Sequence, residues 1–240
     1  MTQHQPREET SESDWEHSPP KSSKKLRRKK RNNTTIRAES PTNDSVVAIT
    51  VPIVLSMPGP MRLLVCSIGN PGQYLNTLHS AGHTVLNTLA ASLSHPSFSK
   101  SRQHGNGLLS EGPRFTLWQS SSMMNISGSG VTAAYRQFLK ELRGEEGRLI
   151  VVHDELELPL GQVNVKDGGA SPKGHNGLKS IKECMRGEKW TRIGVGIGRP
   201  ESREPDVVAR YVLKKMSAVE RKGIDGATGR VEAELRKLAG

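Results

Sequence analysis

The chain has 240 residues, a formal net charge of +11 and a hydrophobic fraction of only 33%. This length favours one domain plus an extension, and so low an apolar share does not fit a chain that is folded throughout. The two cysteines are too few for a metal site built from cysteine, and they are typical of structural thiols in a reducing compartment.

The first segment, residues 1–60, contains the run KSSKKLRRKKR between acidic and Ser/Thr-rich flanks. Such a composition cannot bury enough apolar surface to offset its ordering entropy. We therefore predict a disordered basic extension over 1–60 and one folded domain over 61–240. A basic run can be a nuclear address or a nucleic-acid contact, but more often it is a solvated tail. The acidic residues near its start argue against a mitochondrial presequence, and the apolar run 46–57 is too short to span a bilayer.

The predicted domain is basic without the extension, since residues 61–240 hold 25 basic and 17 acidic residues. A polyanionic partner is the direct interpretation of that excess, and a generically basic protein is the alternative.

Apolar runs alternate with helical stripes from Met61 onward. Strands are predicted at RLLVCSI (62–68), FTLWQ (115–119), RLIVVHD (148–154), QVNVK (162–166) and RIGVGIG (192–198). Helices are predicted over 79–93, over 128–142, over about 178–185, and from the capping box SAVE (217–220) to Leu238. This alternation predicts an α/β fold, a single domain whose mixed, mostly parallel sheet is flanked by helices.

Polar side chains follow several of these strands. Asn70 follows the first strand, Asp154 ends the strand 148–154, the stretch MMNISG (123–128) precedes a helix, and the loop DGGASPKGHNG (167–177) follows another strand. Ligands of such sheets bind beyond the carboxyl ends of the strands. We therefore expect these residues to converge on one rim of the sheet.

His79 is the candidate general base, because a neutral imidazole takes a proton from water near pH 7. A carboxylate usually orients such a ring, and Asp154 is available at a strand end. The sequence contains no G-x-S-x-G elbow and no paired reactive cysteine, which favours activated water over a covalent intermediate. The alternative is that His79 caps a helix and Asp154 opens a turn.

Two further motifs carry weaker alternatives. His79 and His83 are spaced as in zinc helices, but HSAGH lacks the glutamate of H-E-x-x-H and no third ligand is evident, so we expect no metal. The glycine-rich loop lacks the G-x-x-x-x-G-K-[ST] spacing, so nucleotide hydrolysis is not expected. A histidine in such a loop, here His175, is more often structural.

Five motifs in order, IGNPGQYLNTLHSAGH, MMNISG, VVHDELELPLGQV, GGASPKGHNGLKSI and RIGVGIGRP, closely resemble the bacterial-type peptidyl-tRNA hydrolase family. The resemblance covers about residues 62–235, and the glycine-rich loop resembles eukaryotic members, fungal ones among them. It implies one α/β domain that hydrolyses the ester between a peptide and the tRNA 3′ ribose, without metal or cofactor. The expected partner is peptidyl-tRNA from aborted translation, handled by a monomer in the cytoplasm or mitochondria, away from membranes.

The resemblance also implies residue roles. His79 matches the catalytic base, Asp154 the residue that stabilises its working form, and Asn70 the one that separates blocked from free aminoacyl-tRNA. The implied substrate contacts are Tyr74, Met123, Asn125 and Asn176, with Lys166 near the tRNA phosphates.

Several positions depart from the family pattern. The interval from Asn70 to His79 is one residue shorter than usual, Leu78 and Ser80 replace an arginine and an asparagine, and Gly194 replaces a basic residue. These departures bear on the alignment of Tyr74, on rate and on tRNA affinity.

Two other functions compete with this enzyme. Plants use a family relative as an intron-splicing partner, so a binding protein on the same fold is one alternative. The retained set favours catalysis, because a pure binder has no reason to keep both a base and its orienting acid; the set is Asn70, His79, Asn125, Asp154 and Asn176. A metal-dependent hydrolase is the other alternative, and an assay in chelator separates it.

Overall fold

Seven strands form one sheet in the computed structural model, which describes residues 61–240; the extension predicted over 1–60 lies outside the described residues. The strands are β1 Arg62–Ser67, β2 Ser99–Ser101, β3 Gly107–Glu111, β4 Phe115–Gln119, β5 Gly147–Glu155, β6 Val163–Asp167 and β7 Thr191–Gly196. Their spatial order is β2-β3-β4-β1-β5-β7-β6. The four central strands, β4, β1, β5 and β7, are parallel to one another, and the pairings toward both edges are antiparallel. The predicted mixed α/β sheet is confirmed.

Within the part of the chain that the structure describes, six helices accompany the sheet: α1 Ala81–Ser92, α2 Ser127–Glu141, α3 Asn176–Met185, α4 Pro205–Leu213, α5 Ala218–Asp225 and α6 Thr228–Ala239. The capping box is present, because Ser217 and Glu220 exchange side-chain to backbone hydrogen bonds. The helix predicted from it is divided into α5 and α6. The break lies at Gly226, a residue of low helix propensity, where the Ala227 N–H bonds to the Ile224 carbonyl and tightens the last turn of α5.

Both faces of the sheet are covered. In β1, Leu63 and Val65 pack into a cluster that includes residues of α1, α5 and α6, whereas Leu64 and Cys66 pack into a cluster with α2 and α3. A strand buried on both faces is apolar throughout rather than alternating, which is why the central strands are so distinct in the sequence. None of the helices between residues 61 and 240 is both long and apolar enough to cross a membrane.

The start of α1 lies very close to the end of β5. A Cβ atom at Gly82 would come within 2.6 Å of the Val152 carbonyl oxygen, so only glycine permits this approach. The short 3-10 turn Leu78–Ser80 directly precedes α1, and an isolated antiparallel bridge joins Thr77 to Lys215. His79 is therefore held between the carboxyl end of β5 and the segment that follows α4.

Candidate active site

A cleft of about 600 Å³ lies at the carboxyl ends of the central strands. Five of the residues expected on this rim line it together: Asn70, His79, Asn125, Asp154 and Asn176. They come from the loop after β1, the turn before α1, the turn before α2, the end of β5 and the start of α3. The predicted convergence of sequence-distant polar groups is thus present in the structure.

His79 and Asp154 form a close pair. The Nδ1 atom of His79 lies 3.0 Å and 2.9 Å from the two carboxylate oxygens of Asp154, which is only 2% exposed. Because a carboxylate accepts, Nδ1 donates and Nε2 is left as the accepting nitrogen of a neutral ring. Burial lowers the pKa of His79, but the charge and hydrogen bond of Asp154 raise it by more, so the net pKa is raised.

His175 is a second imidazole on the same carboxylate, and the sequence did not reveal it. Its Nε2 atom lies 3.0 Å from Oδ1 of Asp154, while its Nδ1 atom accepts the Leu178 N–H at 3.4 Å and caps α3. The cap fixes the tautomer, since a nitrogen that accepts cannot carry the proton. Burial alone would raise the pKa of Asp154, but the two imidazoles hold it well below its usual range.

The side-chain amide of Asn70 is hydrogen-bonded within the described part of the chain through its oxygen but not through its nitrogen. Its Oδ1 accepts the Met124 N–H at 2.8 Å, and its side-chain NH₂ has no hydrogen-bond partner within residues 61–240. The buried Ser80 hydroxyl accepts the Asn70 N–H at 3.2 Å and donates to the Tyr74 carbonyl at 2.8 Å. Ser80, one of the departures from the family pattern, thus ties the Asn70 turn to the turn that carries His79.

Three expected contacts lie elsewhere. Met123 is 45% exposed and does not line the cleft, where its neighbour Met124, only 4% exposed, does. Tyr74 is absent from the lining of the cleft. Its backbone carbonyl accepts the hydrogen bond from the Ser80 hydroxyl, next to His79. Lys166 lies on β6, where its ammonium pairs with Glu155, a lining residue, at 3.0 Å.

A basic residue lies two positions from Gly194 on the same strand. Gly194 is buried inside β7, whereas Arg192, two residues earlier on the same strand, lines the cleft and stands opposite Lys166 in the β6–β7 register. Arg199 and Arg203 add cationic groups to the lining, and Arg199 forms an ion pair with Glu157. Helix α4, which the sequence analysis did not predict, supplies an apolar wall that includes Val208, Val212 and Leu213.

The two histidines with zinc-like spacing do not form a pair. His83 is buried, its Nδ1 lies 2.7 Å from the Ser67 hydroxyl, and burial lowers its pKa to about 4. The cluster with metal-ligating geometry is instead His79, Asp154 and His175, whose ligand atoms all lie within 4.8 Å of one another.

The fold and the cleft define a hydrolase built on an α/β sheet. A buried carboxylate orients an imidazole whose other nitrogen is free, and within residues 61–240 no serine or cysteine is hydrogen-bonded to that imidazole. The model of the peptidyl-tRNA hydrolase family matches residues 64–240. The chain belongs to that family, and the expectation of a hydrolase that releases tRNA from peptidyl-tRNA is confirmed.

Relatives in bacteria and in a fungus are similar over the same region. The chain is 40% identical over 166 residues to a peptidyl-tRNA hydrolase of Rhodococcus opacus, covering 68% of this chain and 83% of the relative. It is 35% identical over 164 residues to a probable peptidyl-tRNA hydrolase of Schizosaccharomyces pombe, covering 68% and 75% of the two chains. The crystal structure of peptidyl-tRNA hydrolase from Acinetobacter baumannii superposes with a TM-score of 0.61 at 28% identity, covering 77% and 90%.

Proposed function

We propose that His79 activates the water that cleaves the ester of peptidyl-tRNA. The observation that carries this proposal is the pairing of Nδ1 of His79 with the buried Asp154, which leaves Nε2 as the proton acceptor beside the cleft. Nε2 takes a proton from water, and the hydroxide adds to the ester carbonyl carbon. When the bond to the ribose 3′ oxygen breaks, the imidazolium returns the proton to that oxygen. The products are free tRNA and a peptide carboxylic acid, which loses its proton to solvent at neutral pH. Asp154 stabilises the transient imidazolium.

Asn70, in this proposal, recognises the peptide. Its unpartnered NH₂ donates to a backbone carbonyl of an N-blocked substrate, while its Oδ1 stays fixed by Met124. A free aminoacyl-tRNA has no such carbonyl and carries an ammonium group instead, so it leaves the donor unpaired.

The remaining side chains bind the tRNA end and the rest of the peptide. Asn125 and Asn176 offer neutral amides to the 3′ nucleotide and the ester, and Lys166 lies near phosphate. Met123 and Tyr74, which lie outside the lining of the cleft, contact parts of the substrate that extend beyond it. We further propose that the protein acts as a monomer, in the cytoplasm or the mitochondria, where peptidyl-tRNA is made; sedimentation of the purified chain and fractionation of cells test these two points.

The direct test is release of tRNA from N-acetyl-aminoacyl-tRNA by the purified full-length chain, with and without a chelator. We expect turnover in both conditions, and a loss of roughly 10²–10⁴-fold in His79→Ala with tRNA binding retained. Binding without turnover in the unaltered chain would favour the splicing-type binder. Loss of turnover in chelator would favour a metal-dependent hydrolase.

A further inference from the structure

The cluster of His79, Asp154 and His175 has more ligating groups than an oriented base needs. Two imidazole nitrogens from different elements, the turn before α1 and the cap of α3, approach one buried carboxylate at 2.9–3.0 Å. The two rings lie side by side, with centroids 5.1 Å apart.

We propose that this cluster binds a borderline divalent cation such as Zn²⁺, and that the bound ion inhibits the enzyme. Two imidazoles and a carboxylate are a donor set that suits Zn²⁺, Co²⁺ and Ni²⁺. Ligand atoms about 2.0–2.2 Å from a tetrahedrally coordinated ion are roughly 3.3–3.6 Å from one another. Each of the two nitrogens lies 3.0 Å from Oδ1 of Asp154, and all three ligand atoms lie within 4.8 Å of one another. Small side-chain movements therefore bring the three atoms to tetrahedral distances.

Inhibition follows from which ring nitrogens carry the protons once the ion is bound. If the ion takes Nδ1 of His79, the neutral ring must carry its single proton on Nε2, and that nitrogen no longer accepts a proton from water. The ion also takes Nε2 of His175, so the proton of that ring moves to Nδ1. Nδ1 then faces the Leu178 N–H, and the cap of α3 is lost. No proton leaves either ring and no electron is transferred.

The donor set discriminates between cations. Mg²⁺ requires oxygen ligands and retains its waters, so the magnesium that accompanies tRNA does not compete for a site with two nitrogen donors. The claim that the ion occupies the catalytic site rests on the proposed function. The claim that the cluster binds the ion does not.

Binding is measured first, on the full-length chain without tRNA, by the visible absorption of Co²⁺ and its displacement by Zn²⁺. His175→Asn removes the imidazole and keeps a residue favoured as a helix N-cap. We expect it to weaken Co²⁺ and Zn²⁺ binding by at least about 10-fold, because even altered supporting contacts of a metal site cost that much. The matched control is His95→Gln, which removes a histidine outside the cleft, in the loop after α1, and should leave both affinities unchanged.

Inhibition is measured second. Zn²⁺ should inhibit release of tRNA from N-acetyl-aminoacyl-tRNA with a constant equal to its dissociation constant, chelator should restore the rate, and Mg²⁺ should not inhibit. A Co²⁺ spectrum that is absent, or equally strong in His175→Asn, would overturn the proposal, and so would activation by Zn²⁺. A chain that binds Co²⁺ as expected but never hydrolyses the substrate would refute the proposed function and leave the metal site standing.

Discussion

Asp154 determines which ring nitrogen of His79 carries the proton and which can accept one. The carboxylate holds the proton on Nδ1 and raises the pKa of the ring above the value that burial alone would give. In the proposed mechanism the neutral ring is the active form. Since the ring protonates as the pH falls through its pKa, activity should fall on the acid side of the profile at that pKa.

Asp154→Asn should both slow the reaction and move this acid limb. The amide keeps the shape but removes the charge that raises the pKa of His79, so the pKa falls and the acid limb moves to lower pH. The maximal rate should fall by roughly 10²–10⁴-fold, because the imidazolium loses its partner and the tautomer is no longer fixed. A pH profile of kcat measures both effects. The double variant with His79→Ala should be little slower than His79→Ala alone, and multiplying losses, or an unmoved acid limb, would contradict the pairing.

Replacing Asn70 with aspartate tests its role more sharply than replacing it with alanine. Asn70→Asp retains an oxygen for the Met124 N–H, but it replaces the NH₂ donor with an acceptor. We expect the preference for N-acetyl-aminoacyl-tRNA over free aminoacyl-tRNA, measured as the ratio of kcat/KM values, to fall about 10-fold or more. Asn70→Ala removes the fixed bond as well and should also lower stability. If Asn70→Asp keeps the original ratio while its melting temperature is unchanged, Asn70 is only a turn residue.

The His79–Asp154 pair could be predicted from the sequence because Asp154 ends a clear apolar strand and His79 begins the first helical stripe. The part played by His175 could not, since a histidine before a helical stripe has the same pattern whether it caps the helix, contacts a carboxylate or does both. The sequence could not distinguish the two methionines for a different reason. Met123 and Met124 are adjacent, and a one-residue difference in a 3-10 turn exchanges the buried side chain for the exposed one.

At the scale of elements, we expect the close approach of α1 to β5 to determine whether His79 and Asp154 can pair. In Gly82→Ala, a methyl group would meet the Val152 carbonyl oxygen at 2.6 Å, so the start of α1 must move away from the end of β5. We expect a loss of about 1–3 kcal/mol in the free energy of unfolding and a lower kcat, because His79 moves away from Asp154. Denaturant unfolding and single-turnover rates measure these effects.

Gly229→Ala is the matched control for this substitution. Gly229 lies within α6, and nothing is within 4 Å of its added Cβ. Alanine is the better helix former there, so stability should rise by about 0.5–1 kcal/mol with kcat unchanged. If Gly82→Ala and Gly229→Ala have the same effect on stability and on kcat, the contact between α1 and β5 does not determine either quantity.

The central strands and the edge strand β6 could be predicted from the sequence, whereas β2 and β3 could not. Residues buried on both faces form apolar runs, as in β1 and β5, whereas β2 is the short, mostly exposed SKS and carries no such signal. Helix α4 follows a polar, proline-containing stretch and buries only Val212 fully, so its sequence resembles a loop. Its place beside the cleft depends on tertiary contacts that local pattern does not encode.

At the scale of the whole molecule, the extension should be separable from the chemistry. Every lining residue of the cleft lies after Met61, so a chain that begins at Met61 should fold with an unchanged melting temperature and keep its turnover at saturating substrate. Its affinity for tRNA should fall and depend less on salt, since the ten basic residues of 1–60 no longer release counterions. Turnover and affinity measured over a range of salt test this, and loss of turnover at saturation would contradict it.

The bridge between Thr77 and Lys215 has a consequence for biosynthesis. The backbone bonds from Leu78 N to Lys214 O and from Met216 N to Asn76 O fasten the His79 turn to residues synthesised more than a hundred positions later. A chain emerges from the ribosome amino end first, so this turn lacks these two bonds until residues 214–216 have been added. While it is being made, the enzyme is itself a peptidyl-tRNA. Its order of synthesis delays a finished active site until residues 214–216 have left the ribosome.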